Sequence, residues 1–293
     1  MSSSGRGRGR RSAPSVPFPD LGPVGEAIPI STGTARLELE TDGSVLLEVN
    51  GVPSSHLDPD PDHLMFEYLR WMRTATLCWV RERREGADAL QLAHLGGAGC
   101  ALPRTLAHDL PRARQTVVEL DAILAERVRV WFSLPRSPQL RIRVDDAARA
   151  LESWREDRFE VLTRDVFAGS TTPSSLIGLE AARHAHRALV PDGLYLVNCA
   201  SAPGSRLLAD ELTTLQQVFS HVGAVAEAAH LKGRRRGNCV LLASDAPLPE
   251  ELDRALRSDP VAVRLAVGDD AARIAAPGRV LGAEAMRTPA EDD

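Results

Sequence analysis

From Ala89 onward, short apolar runs alternate with amphipathic segments. ALQLAHL precedes a helical pattern near 101–110, TVVEL precedes DAILAERVRVWF, and LRIRV precedes DDAARALESW. FEVLTRDVF then leads to a helix within 174–190, and GLYLVNCA to one near 205–221. Strands that alternate with helices predict a parallel sheet covered on both faces, joined by right-handed crossovers. AVAEAAHL and CVLLASD flank the turn KGRRRGN and predict an antiparallel pair closing the sheet's far edge. The expected class is therefore α/β, a mostly parallel doubly wound sheet with an antiparallel edge.

Before this rhythm, ARLELETDGSVLLEVNGVPSSHL alternates apolar and polar residues and is broken at Asp42-Gly43 and Asn50-Gly51. Both dipeptides are hairpin turns, so the segment predicts a small antiparallel meander. PDPDHLMFEYLRWMRTATLCWV then carries apolar residues at helical spacing, with Asp60 or Asp62 placed to cap it. The division that follows is a disordered Arg/Gly/Ser/Pro-rich tail at 1–33, a meander at 34–60, the main domain at 61–258, and a C-terminal extension at 259–293 that frays into an acidic tail.

Composition narrows the functional classes. The 293 residues are 43% hydrophobic with a net charge of -5, an ordinary balance for a soluble domain and a poor one for neutralising nucleic-acid phosphates. No apolar run approaches the roughly 20 residues of a membrane span, and no hydrophobic segment follows the N-terminal arginines, so the expected location is cytoplasmic, without membrane or nucleic-acid partners. Cys78, Cys100, Cys199 and Cys239 lie far apart, which suggests reduced thiols in apolar settings with neither a metal site nor a disulfide framework. Two basic clusters keep two readings each. RGRGRR is solvated chain or a nucleic-acid arm, and KGRRRGN is a solvated hairpin tip or a phosphate-binding patch.

Candidate chemistry begins at LGGAGCALPR. Gly96, Gly97 and Gly99 follow the first strand of the main domain, where glycines let a ligand approach the backbone. The spacing is not GxGxxG, which argues against a nicotinamide dinucleotide. Glu119 ends the second strand and either accepts hydrogen bonds from ribose hydroxyls or is a surface acid. Asp146, in RVDDAA, either accepts from an adenine amino group or caps the next helix. Asp165 is either a base at the mouth of the site or a strand-end acid orienting residues 166–173.

The ordered series NGVPSSHLDPD, LGGAGCALPR, VVELD, RVDDAARAL, FEVLTRDVFAG and GLYLVN resembles the spermidine synthase (polyamine aminopropyltransferase) family, particularly its divergent bacterial spermidine-synthase-like members. The resemblance covers about Ala35 to Pro249. It implies a class I methyltransferase-type Rossmann domain after a β-meander, with decarboxylated S-adenosylmethionine or methylthioadenosine held between the glycine loop and a gate loop. It assigns Glu119 to the ribose, Asp146 with Ala147 to the adenine, and Asp165 to catalysis. No tightly bound cofactor is implied; S-adenosylmethionine or its decarboxylated form is a co-substrate, an amine is the acceptor, and a homodimer is a common assembly. The chain departs from the family pattern at Gly99 and Ala168, where the family has carboxylates, at Ser54 in place of a glutamine, and at Phe66 in place of a cleft tyrosine, with Tyr68 close by. Polyamines are cations with pKa values near 10, so lost carboxylates weaken both their binding and their deprotonation. Putrescine aminopropyl transfer is therefore expected to be weak, Glu67 being a candidate replacement carboxylate or a solvated helix residue. S-adenosylmethionine-dependent methyl transfer and a non-catalytic nucleoside-binding homologue are the alternatives.

Overall fold

The computed structural model describes residues 18–84, 89–169 and 171–282. Its N-terminal unit is a four-stranded antiparallel meander of β1 (Ala27–Ile30), β2 (Gly33–Leu39), β3 (Val45–Val49) and β4 (Val52–Leu57), adjacent in that order. At the β3–β4 turn, Asn50 and Gly51 both have positive φ, 53° and 75°, the conformation that makes Asn-Gly a tight hairpin turn. Leu37, Val45, Leu47 and Leu57 supply the buried face. Helix α1 (Glu67–Arg83) then buries Tyr68, Leu69, Trp71, Met72, Ala75, Cys78 and Trp79, a stripe at helical spacing. Side chains as inaccessible as Trp71, Met72 and Trp79 each contribute roughly 1.5–3 kcal/mol or more on burial.

The main domain follows as β5 (Gln91–Leu95), α2 (Ala101–Asp109), β6 (Arg114–Glu119), α3 (Ala122–Trp131), β7 (Leu140–Val144), α4 (Ala147–Ser153), β8 (Phe159–Arg164), α5 (Leu179–Ala188), β9 (Leu189–Ser201) and α6 (Leu207–Leu215). It closes with β10 (His221–Glu227), α7 (Ala228–Leu231), β11 (Gly237–Ser244), α8 (Leu252–Leu256), β12 (Val263–Ala266) and α9 (Asp269–Ala275). The eight strands run in the order β12-β10-β11-β9-β8-β5-β6-β7. Strands β7, β6, β5, β8 and β9 are parallel, while β11, β10 and β12 add an antiparallel edge. The expected α/β class is thus observed. The chain winds outward from β5 through β6 to β7, then returns to β8 on the other side. The carboxyl ends of β5 and β8 therefore flank a topological switch point, where such sheets open a crevice.

Four expectations change. Residues 27–30, assigned to the tail, form β1, and Phe18 packs edge-on against Phe132 at 5.3 Å; their apolar contacts outweigh the Pro- and Gly-rich surroundings that suggested disorder. Residues 1–17 and 283–293 of the two expected tails lie outside the described residues. Residues 263–266, assigned to the extension, pair with β10, so β12 and not the β10–β11 hairpin is the sheet's edge. AVAEAAHL is a strand only to Glu227 and then turns into α7. Neither Asp60 nor Asp62 caps α1, which starts after Phe66 without a side-chain cap; Asp62 instead pairs with Arg73 at 2.7 Å. All four cysteines are free and buried, as expected. Among the described residues no helix is long and apolar enough to cross a membrane.

Candidate active site

The end of β5 is held between β6 and β8: Gly96 N–H donates to the Val118 carbonyl at 3.0 Å, and Asp165 N–H donates to the Leu95 carbonyl at 2.9 Å. A Cβ on Gly96 would lie 2.1 Å from the Asp165 carbonyl oxygen, and φ there is +87°, so only glycine fits. The loop then curls under Glu119. Its Oε2 accepts from Gly97 N–H at 3.2 Å and Ala98 N–H at 2.9 Å, and its Oε1 accepts from Asp121 N–H at 2.9 Å. Two of these bonds fix the loop and the third fixes the start of α3, so three of a carboxylate's roughly four acceptor positions are used.

Gly99 lies elsewhere. Its N–H donates to Ser55 Oγ at 2.9 Å, and a Cβ would approach Leu57 Cδ1 and Ser55 Cβ to 2.7 Å. Strand β4 therefore occupies the space a side chain at 99 would need. The ends of β6 and β7 meet where Asp145 N–H donates to the Glu119 carbonyl at 3.0 Å. Next to it, Asp146 caps α4 by accepting from Arg149 N–H at 2.9 Å, and Ala147 opens the helix, buried. Of the two readings of Asp146, the helix cap is the one seen in this geometry.

Asp165 follows β8. Tyr68 Oη donates to its Oδ2 at 3.0 Å, and Asn198 Nδ2, on β9, donates to its Oδ1 at 2.9 Å. The residue keeps part of its surface open, yet surrounding protein desolvates the carboxyl group enough to raise its pKa, against the lowering effect of those two donors and of Arg164. Burial first, then the Asp165 charge, push the Tyr68 hydroxyl well above its usual range. Phe66 stacks on Tyr68 at 6.0 Å and lies 6.4 Å from His56, making an aromatic wall. Ala168 sits in an exposed turn, its N–H donating to the Thr171 carbonyl at 2.8 Å. Glu67 is partly buried, its Oε1 accepting from Asn238 Nδ2 of β11 at 3.5 Å.

Beneath this group Arg164 is buried with Glu211 of α6, at 2.7 Å. The guanidinium also donates to the Leu176 carbonyl at 2.8 Å and reaches the Asn198 carbonyl at 3.5 Å. Arg164 thus ties the far end of the loop after Asp165 to the residue that holds Asp165. A separate group, Asp62, His108 and Asp109, brings three ligand-type atoms within 4.8 Å, but Arg73 bonds both carboxylates at 2.7 Å and places a positive charge between them.

Gly96, Glu119 and Asp165 are therefore brought together, while Gly99 is packed away under β4. Sequence reasoning gave no role to Asn198, Arg164 or Ser55, and placed Phe66 where Tyr68 makes the contact. The available signal was polarity out of place: Asn198 interrupts LYLVNCA, and Arg164 puts a charge at the end of FEVLTR, just after the apolar pair Val161-Leu162.

No family model matches the chain. A curated polyamine aminopropyltransferase of Vibrio vulnificus is 23% identical over 197 residues, 66% of this chain and 61% of that protein. An eEF1A lysine and N-terminal methyltransferase homolog of Drosophila melanogaster is 30% identical over 159 residues, 52% of this chain but only 23% of that protein's length. The crystal structure of a probable spermidine synthase from Corynebacterium glutamicum superposes with a TM-score of 0.83 at 35% identity, covering 92% of this chain and 100% of that one. Likeness of that extent, on the same meander and doubly wound sheet, means that the chain belongs to the spermidine synthase family.

Proposed function

We propose that the protein is a transferase that takes an adenosyl sulfonium as co-substrate, S-adenosylmethionine or its decarboxylated form, and alkylates an amine held beside Asp165. The reading rests most on one observation, the Asp165 carboxylate fixed between Tyr68 Oη and Asn198 Nδ2 at the switch point. The adenosine lies against residues 96–98, with Glu119 offering its remaining acceptor position to a ribose hydroxyl. Asp146, through the oxygen not used by the cap, and the Ala147 amide meet the adenine edge.

In the reaction the amine lone pair attacks the carbon on sulfur, the carbon–sulfur bond breaks, and the sulfonium leaves as a neutral thioether. The nitrogen's proton passes to Asp165. A carboxylate whose pKa is raised by burial holds a proton better than a solvated one, and the fixed donors orient it toward the nitrogen. The catalytic form is the anion, so the rate rises with pH through a pKa above the ordinary carboxylate value.

The acceptor site differs from one built for a polyamine. At position 99 a carboxylate is excluded by Ser55 and Leu57, and Ala168 offers none. Losing the partner of a desolvated ammonium costs about 3 kcal/mol or more, roughly a hundredfold. Putrescine is accordingly a poor acceptor. The same packing favours a second reading, methyl transfer from intact S-adenosylmethionine, because no acid at 99 repels the donor's own carboxylate; the methyltransferase name of the Drosophila relative supports it. Assays with each donor and a panel of amines separate the two. Asp165→Asn should lower turnover by about 10²–10⁴-fold with either donor; an unchanged rate would remove Asp165 from the chemistry.

A further inference from the structure

The turn after α7, read from sequence as either a solvated tip or a phosphate patch, does not stand alone. Lys232 and Arg235 of that turn line a cleft of about 860 Å³ together with Arg257 after α8, Arg264 of β12 and Arg273 of α9. Four separate elements thus direct five cations to one place, in a chain whose net charge is -5. Three of them have acidic neighbours: Arg257 pairs with Asp253, Arg273 with Asp270, and Arg235 with Glu227 at 2.7 Å. These pairs are solvent-exposed on the arginine side and so are weak and exchangeable. Lys232 and Arg264 have no acidic group within 4.0 Å among the described residues. The cleft keeps an excess of positive charge even with every carboxylate counted.

Its walls are not only basic. Leu208, Leu231 and Ile274 line it as well, and Ser201 Oγ and the buried His230 Nε2 close one side at 2.8 Å. Ser201 pairs with Gly237, and Val263 pairs with Glu227, so the cleft opens at the same carboxyl edge of the sheet as Asp165. It shares no lining residue with the glycine loop, Glu119 or Asp165. The volume is that of a site for a small organic ligand, larger than a lone inorganic anion needs, and arginine forks suit phosphate oxygens.

We propose that this cleft binds a small organic anion bearing phosphate or pyrophosphate beside an apolar body. The proposal does not rest on the adenosyl-sulfonium reading. Calorimetric titration of the full chain with inorganic pyrophosphate and with 1-naphthyl phosphate, at low salt and at about 0.15 M, tests it. One saturable site is expected, weakened by salt, with naphthyl phosphate the tighter ligand. The double variant Lys232→Glu/Arg264→Glu, both exposed, should bind at least tenfold more weakly while melting at the same temperature. A second double variant, Arg257→Glu/Arg273→Glu, should show the same loss. Methylthioadenosine should not displace either probe. Absence of saturable binding, equal affinity in both variants, or displacement by methylthioadenosine would overturn the proposal.

Discussion

His94 is the fourth of the five residues of β5 and has both ring nitrogens bonded, to Thr163 Oγ1 and Gln115 Oε1, each at 2.9 Å. Burial lowers its pKa to about 4. Between that value and the ordinary 6.5 the unfolded chain takes a proton that the folded chain refuses, so stability rises with pH across this window and falls on acidification. The group alone should cost about 2 kcal/mol between pH 7 and pH 5. Denaturant unfolding of His94→Gln should show a correspondingly flatter acid limb, and an unchanged limb would contradict the assignment. Gly99 makes a second point at this scale. Glycines after the first strand were legible as a site signal, but which glycine faces a ligand and which faces β4 depends on tertiary packing. Gly99→Ala should destabilise by about 1–3 kcal/mol through overpacking. The double variant Ser55→Gly/Gly99→Ala should be less destabilised than the sum of its singles; simple additivity would mean that the two residues do not compete for the same space.

Among the elements, those with long periodic signatures were readable and those fixed by partners were not. The βα rhythm from β5 to β9 and the Asn50-Gly51 turn follow from local pattern. Strand β1, four residues long and containing Pro29, and β12, read as part of a tail, exist because β2 and β10 offer them an edge. Likewise α1 starts after Phe66 and not at the acids Asp60 and Asp62 that the sequence offered as caps, and Tyr68 is distinguished from Phe66 only by which side chain reaches Asp165. The Arg164–Glu211 pair links α6 to the loop after Asp165 and invites a test at this level. Arg164→Leu alone leaves Glu211 buried without a partner and should cost about 3–5 kcal/mol. Arg164→Met/Glu211→Leu should recover most of that stability, yet amide hydrogen exchange in residues 173–178 should quicken, because the Leu176 carbonyl has lost its donor. Exchange as slow as in the parent would show that the pair supports the fold alone.

For the molecule as a whole, the sequence made the sheet class, the meander and the family legible, and the structure adds how they meet. The meander fills the space beside Gly99, α1 carries Tyr68 to Asp165, and the switch point between β5 and β8 gathers Gly96, Glu119 and Asp165. The sheet also continues through β12 into a second, basic cleft that strand-and-turn reasoning reduced to a single arginine cluster. The crevice at the β5–β8 switch point is the one proposed to hold an adenosyl thioether or sulfonium. Isothermal calorimetry with methylthioadenosine tests it most directly, since the ligand carries the adenosine and sulfur without an acceptor or a charged tail. The account predicts saturable binding at one site per chain, weakened by about 1–3 kcal/mol in a folded Glu119→Ala variant. No binding of methylthioadenosine, S-adenosylmethionine or S-adenosylhomocysteine would contradict it.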